Sequence, residues 1–350
     1  MAKYQPPYTI TPGILDAVAN ISELLGRYSA SAGESVTPRL RRGNRIRTVQ
    51  ASLAIEHNTL NLEQVTAIFE GKRILGQPRE IQEVQNAFAA YDLLPTLNPA
   101  SADDMLSVHS ALMKGLTDQT GCWRDSGVGI YRDDRLVHMP PPASQVPRLM
   151  SDLLSWVQDA GVHPLIVSSV FHYEFEFIHP FTDGNGRMGR FWQTLILSRW
   201  REPLAYLPVE TIIRDQQAAY YQALGEADKT SDATVFISFM LQAIEQALQE
   251  ALNTETLLPV ESDQAYDQAS DQVSRLLMTL HHSLNAPMPA PVIMEKLGLK
   301  HRTSFRKNYL KPALEAGWMQ MTHPDSPNNP RQRYRLSAEG LKWIERKSKK

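Results

Sequence analysis

Residues 179–190, HPFTDGNGRMGR, crowd a histidine, a carboxylate, two glycines around an asparagine and two arginines into twelve positions. His179 is the one group there whose ordinary pKa lies near neutrality, which makes it the natural proton acceptor. Gly184 and Gly186 remove side chains where backbone N–H groups must approach a ligand closely. A glycine loop opening a helix is an anion site, because unpaired N–H donors and the helix dipole both favour negative charge. Arg187 and Arg190 sit three apart on the first turn of that helix, so both can point toward the anion, and two guanidinium groups suit a polyphosphate. Phosphate would repel Asp183 unless a cation lay between them, and Mg²⁺ resolves that conflict. The loop therefore combines a base, a metal ligand and a phosphate cradle. It is not a Walker loop, since no Gly-Lys-Ser/Thr follows.

The elements that hold this loop are helical. In PLIVSSVFHYEFEFIHP, residues Ile166, Val170, Tyr173 and Phe177 keep helical spacing, and Pro180 forces the helix to end at His179. The next helix starts at Arg187. Upstream, the sequence predicts helices over 12–30, 47–56 (after a polar connection containing LRRGNRIRT), 61–70 with Asn61 as cap, 75–94 and 101–116. Residues 127–139 break the pattern, and short β-type runs around Asp133-Asp134 predict a hairpin. More helix follows to about 252. Residues 253–268 are acidic and Gln-rich and read as a linker, and residues 269–350 have the helix and strand–loop–strand order of a winged helix. The expected fold class is mainly α, with one small hairpin and a C-terminal winged-helix domain.

The 350 residues exceed what one core usually organises. With 42% apolar and 21% charged residues the composition is that of an ordinary globular protein, and a net charge of -2 gives no whole-chain attraction to nucleic acid or anionic membrane. A single cysteine, Cys122, excludes an internal disulfide framework and a cysteine-rich zinc site. No run suits a signal peptide or a bilayer span, so no membrane partner and a cytoplasmic location are expected.

HPFTDGNGRMGR resembles the Fic-domain signature HPF-x-(D/E)-GNGR-x-x-R at every fixed position: His179, Pro180, Phe181, Asp183, Gly184, Asn185, Gly186, Arg187 and Arg190. The likeness extends over roughly residues 40–250, through VHMPPPASQVPRLM and YYQAL. It implies a helical catalytic core at 101–252 preceded by an N-terminal helical region at 1–100. It also implies a protein adenylyltransferase that moves AMP from ATP to a Ser, Thr or Tyr hydroxyl of a target protein and releases pyrophosphate. In that scheme His179 deprotonates the hydroxyl, Asp183 holds Mg²⁺, and Gly184, Asn185 and Gly186 cradle the anion. Arg187 and Arg190 bind the outer phosphates, Phe181 anchors the loop, and Gly186 favours AMP transfer over phosphorylation. The 127–139 hairpin corresponds to the family's flap, on which an extended target segment docks by strand addition. Tyr221, with Tyr220, is placed near the adenine, and relatives of this layout often form homodimers.

Many family members carry an inhibitory helix with the pattern S/T-x-x-x-E-G/N, whose Glu pairs with the second signature Arg. Ser52 and Glu56 have that spacing, although His57 stands where Gly or Asn is expected. The resemblance thus implies a brake in which Glu56 occupies Arg190 and excludes the γ-phosphate. In some relatives such a Glu aligns a water for AMP removal, and another nucleotide donor is a further alternative. In the C-terminal module His301, Arg302, Arg306, Lys307 and Lys311 cluster on the expected recognition helix, and Arg331, Arg333 and Arg335 alternate along the wing. A basic helix with a basic wing could grip DNA, giving a rival function as a DNA-binding regulator whose Fic domain serves as a nucleotide sensor.

Overall fold

The computed structural model describes residues 4–31, 38–132, 135–257, 271–281, 287–299, 301–322, 329, 332–337, 339–341 and 344. The chain forms two compact units, Met1–Glu255 and Thr256–Lys350.

In the first unit the helices are α1 (Pro12–Ser31), α2 (Pro38–Ile55), α3 (Leu62–Phe69), α4 (Pro78–Leu93), α5 (Ala102–Met113), α6 (Val146–Asp159), α7 (Pro164–Ile178), α8 (Asn185–Trp200), α9 (Val209–Asp215), α10 (Gln217–Thr230) and α11 (Thr234–Leu257). Helices α7 and α8 pack on each other and form the centre. Leu165 to Phe175 are all buried, as are Arg187 to Leu197. A helix buried on every side shows no separate polar face, and the polar residues of both helices, among them His172, Glu174, Arg190 and Gln193, are buried with the apolar ones.

Several boundaries differ from the sequence expectation. The stretch LRRGNRIRT is not a polar connection but the first half of α2. Three of its arginines end on carboxylates: Arg41 pairs with Glu202 at 3.0 Å and lies over the Tyr206 ring, Arg42 pairs with Glu70 at 2.8 Å and lies over the Phe69 ring, and Arg45 pairs with Asp92 at 2.7 Å. Long basic side chains that lie along apolar surface and end on carboxylates support a helix that hydropathy alone hides. Asn61 caps α3 as expected, in a capping box completed by Gln64. Residues 253–257, assigned to the linker, are helical and end α11, and 258–268 lie outside the described residues.

The hairpin consists of β1 (Ile130–Arg132) and β2 (Arg135–His138), antiparallel, with a bulge between Ile130 and Tyr131. Its Asp133-Asp134 turn lies outside the described residues. Leu136, Val137 and Met139 are exposed on and just after β2, at 46%, 47% and 65%.

The second unit contains α12 (Asp271–His281), α13 (Ala290–Leu297), α14 (Arg302–Phe305), a π-helical turn over Arg306–Leu310, α15 (Lys311–Glu315), β3 (Met319–Met321) and β4 (Tyr334–Leu336). Pro312 lacks the N–H that would continue an α-helical ladder, and the widened turn ends two positions before it. Strands β3 and β4 pair antiparallel, and Met288 bridges to Tyr334. Leu276, Leu277, Ile293, Phe305, Met319, Leu336 and Ile344 form its core. Met319 is therefore a core residue. His301, Arg302, Arg306, Lys311, Arg333 and Arg335 are exposed, and Arg331 lies outside the described residues.

Candidate active site

Helix α7 ends as Pro180 dictates. His179 adopts the left-handed conformation (φ 50°, ψ 61°) and its N–H still reaches the Phe175 carbonyl at 2.9 Å. Five residues later Gly184 is also left-handed (φ 85°) and caps α8, with no side-chain hydrogen bond at the cap. A Cβ at Gly184 would lie 2.6 Å from Met113 Sδ, so both conformation and space require glycine. The chain reverses tightly between two central helices, and Gly186 in the first turn of α8 lines a cavity.

What holds the reversal is only partly visible in the signature. Asn185, expected in the anion cradle, spends its amide on the loop itself: Oδ1 accepts from the Phe181 N–H at 2.9 Å and Nδ2 donates to the Phe181 carbonyl at 2.8 Å. Its cradle contribution is then through backbone. Phe181 is fully buried and stacks on His109, with centroids 3.7 Å apart and planes 3° from parallel. His109 Nδ1 accepts from the Gly121 N–H at 2.9 Å, so Nε2 carries the proton and donates to the Asp183 carbonyl at 3.0 Å. Arg124 is buried, and its guanidinium donates to the carbonyls of His179 (2.7 Å), Ser126 (2.9 Å), Pro141 (2.6 Å) and Ile178 (3.3 Å). The Arg124 N–H also donates to the Pro180 carbonyl at 2.9 Å. Sequence reasoning missed His109 and Arg124, because His109 lies 74 positions from Asp183 and Arg124 55 from His179, and neither belongs to a motif.

His179 sits at a cavity of about 1290 Å³ that is also lined by Glu56, His57, Val137, His138, Glu176, Gly186, Arg190 and Tyr221. Burial pushes its pKa down to about 4, with the Glu176 carbonyl pulling the other way and His138 and Arg124 adding to the fall. The ring is neutral at pH 7 and able to take a proton. Tyr220 and Tyr221 both line the cavity; Tyr221 is half-buried, and Tyr220 is nearly fully buried with its hydroxyl meeting His172 Nε2 at 3.0 Å.

Asp183 is half-exposed. Its Oδ1 accepts from the Gly184 N–H at 2.6 Å and from Arg187 Nη2 at 3.0 Å, and Oδ2 lies 3.7 Å from Arg79 Nη2. Among the described residues no group of three His, Cys, Asp or Glu could cage a metal ion. A single accessible carboxylate oxygen still fits Mg²⁺, which is commonly held by one or two carboxylates plus waters and substrate phosphates. The two signature arginines diverge. Arg187 turns to Asp183 and to Glu83 at 3.6 Å, and Arg190 turns inward to Ser52 and Glu56.

Arg190 is fully buried. It donates through Nε to Ser52 Oγ at 3.0 Å, and through Nη2 to the Ser52 carbonyl at 3.0 Å and Glu56 Oε1 at 2.7 Å. Burial alone would lower the pKa of this guanidinium, and the Glu56 carboxylate overrides that and raises it. Ser52 and Glu56, one helical turn apart, clasp the same side chain. His57 takes the left-handed conformation (φ 68°), and the N–H of Asn58 returns to the Leu53 carbonyl at 3.1 Å, which closes the end of α2. Gly186 lies beneath this clasp: a Cβ there would be 2.3 Å from Glu56 Oε1. Asn58 is buried, donating to Glu83 Oε2 at 2.9 Å and so orienting the carboxylate that faces Arg187.

Residues 99–197 match the Fic/DOC family, and residues 271–337 match the domain described as "Filamentation induced by cAMP protein Fic-like, C-terminal domain". The crystal structure of a Fic family protein from Desulfovibrio desulfuricans G20 is 55% identical, covers 96% of this chain and 99% of its own, and superposes with a TM-score of 0.71. Protein adenylyltransferase fic-1 of Caenorhabditis elegans is 32% identical over 57% of this chain and 40% of its own length. Protein adenylyltransferase Fic of Nematostella vectensis is 27% identical over 67% and 55%. The chain thus spans about half the length of the curated relatives it matches.

Proposed function

Because this chain belongs to the Fic family, we propose that it is a protein adenylyltransferase that moves AMP from ATP to a hydroxyl side chain of a target protein. The observation that carries this is the neutral, cavity-lining His179 beside the uncapped N-terminus of α8. His179 takes the hydroxyl proton as the oxygen bonds to the α-phosphorus, and the bond to the β-phosphate oxygen breaks to release pyrophosphate. The N–H groups at the start of α8, Arg187 and Arg190 hold the phosphates. Asp183 would hold Mg²⁺, whose charge offsets that of the phosphates. The exposed apolar edge of β2, ending in Met139, receives the target segment.

Glu56 supports autoinhibition, since it holds the guanidinium that the outer phosphate needs. Incubation with α-labelled ATP and Mg²⁺ tests both statements on wild type, Glu56→Gly and the Glu56→Gly/His179→Ala double variant. Label on Glu56→Gly alone is the expected result. Label that survives loss of His179 refutes the proposed base, and label equal on wild type and Glu56→Gly refutes the brake.

A second reading concerns the C-terminal unit. Its exposed His301, Arg302, Arg306 and Lys311, with Arg333 and Arg335, favour a winged-helix module that contacts DNA phosphates. Duplex binding that weakens steeply with salt would support it. No duplex retention at low salt would leave a protein-contact role.

A further inference from the structure

Glu176 lies on the last turn of α7 and belongs to neither the signature nor the inhibitory pattern. Its side chain is 13% exposed, and its Oε1 is buried with no hydrogen-bond partner. Its Oε2 is 4.0 Å from His179 Nδ1, which is likewise buried and unpartnered. The site thus holds a pair of buried orphan atoms, Glu176 Oε1 and His179 Nδ1, and it is Oε2, the other oxygen of the same carboxylate, that faces Nδ1 beside the cavity. Such pairs are uncommon in folded proteins because each costs desolvation energy.

The other neighbour of Glu176 cannot satisfy it. His172 Nε2 is 3.9 Å from Oε1, but His172 Nδ1 faces Gln193 Oε1 at 2.5 Å and therefore carries the proton. His172 Nε2 then accepts from the Tyr220 hydroxyl at 3.0 Å and has no proton for Glu176. Burial pulls the His172 pKa down to about 3, so that ring stays neutral. Gly189, one turn along α8, leaves room for the carboxylate: a Cβ there would lie 2.8 Å from Glu176 Oε1.

We propose that Glu176 is a positioning residue for His179: its carboxylate holds the proton on Nδ1 and so keeps Nε2 as the lone pair that faces the cavity. The inference rests on the proposed role of His179 as base. When the target hydroxyl gives its proton to Nε2, the ring becomes an imidazolium with the Glu176 carboxylate beside Nδ1, and the proton count of Glu176 does not change. The same arrangement, a base oriented by a buried carboxylate, recurs in nucleophilic enzymes.

Burial raises the Glu176 pKa to about 7; Arg190 and His138 oppose that rise and Glu56 adds to it. The carboxylate form therefore predominates only above neutrality, and the charged groups facing the pair are Arg190, Arg124, His138 and Glu56. Two measurements on the full chain test the assignment. In the Glu56→Gly background, the labelling rate should fall as pH drops through about 7, whereas Glu56→Gly/Glu176→Gln should lose that limb and run at least about tenfold slower at pH 8, within the range a positioned base contributes. Without nucleotide, ¹⁵N resonances of the His179 ring, assigned with His179→Ala, should show Nδ1–H at pH 8 in wild type and a mixture of tautomers in Glu176→Gln. An unchanged pH profile, or the same tautomer in both proteins, overturns the proposal. Absence of label from Glu56→Gly would instead strike the adenylyltransferase reading, and the resonance test would still decide the tautomer.

Discussion

Deleting the Glu56 carboxylate should raise activity while lowering stability, and both magnitudes follow from the clasp. Glu56 Oε1 accepts from Arg190 Nη2 at 2.7 Å, with the guanidinium 1% and the carboxylate 35% exposed. A hydrogen bond between charged groups contributes about 1.5–3 kcal/mol, and partial exposure of Glu56 places this one near the lower end, about 2 kcal/mol. If that energy separates the clasped from the phosphate-ready arrangement, only about 3% of molecules are ready at any moment. Glu56→Gly should then raise initial labelling by up to about 30-fold. Arg190 keeps Ser52 Oγ and the Ser52 carbonyl, so the loss of stability should stop at about 2 kcal/mol, below the 3–5 kcal/mol of a stranded buried charge. Labelling rates at saturating ATP, read beside thermal unfolding, separate the two effects. A variant that unfolds some degrees lower without labelling faster would refute the reasoning, for it would make the ion pair structural and nothing more.

His57→Gly should remove the cost of a side chain at φ 68°, about 1 kcal/mol, raising the melting temperature by about 2–4 °C and lowering basal labelling; faster labelling would contradict a brake set by the end of α2. Asn185→Ala strands the buried N–H and carbonyl of Phe181, which should cost about 2–5 kcal/mol, seen as a shifted denaturant midpoint together with lost labelling. His138 donates from Nδ1 to Asp228 at 2.9 Å and from Nε2 to the Phe177 carbonyl at 2.9 Å, so both nitrogens carry protons. Burial lowers its pKa, but Asp228 and the Phe177 carbonyl outweigh burial and raise it above 6.5. Its contribution is therefore complete below about pH 6.5 and lost as pH rises through the raised value. The stability gap between wild type and His138→Leu should shrink over that window, and a gap independent of pH would count against the imidazolium.

The legible part of the site is the part set by neighbours in sequence. Pro180 ends α7, Gly184 alone fits at φ 85° beside Met113, and the alternation of helix and loop around residues 179–190 follows from those two positions. The Ser52–Glu56 spacing likewise places two oxygens on one face of a helix, and the structure sets both on Arg190. Hydropathy misread the front of α2, since helical arginines that end on Glu202, Glu70 and Asp92 look in sequence like a solvated loop. The signature also misled where its residues spend their side chains inward. Asn185 is the case, its amide closing the loop on Phe181, whereas Phe181 packs on His109 as the anchor the resemblance implies and Arg190 meets Glu56 as the inhibitory spacing implies. Most hidden were the supports joined across the fold. Arg124 gathers carbonyls from four residues, His109 reaches Asp183, and Glu176 faces His179 from the last turn of α7. Such residues leave no periodic trace because nothing in their own segment requires them. Only the reversal between α7 and α8, with its turned-out carbonyls and its neutral histidine, creates the need they meet.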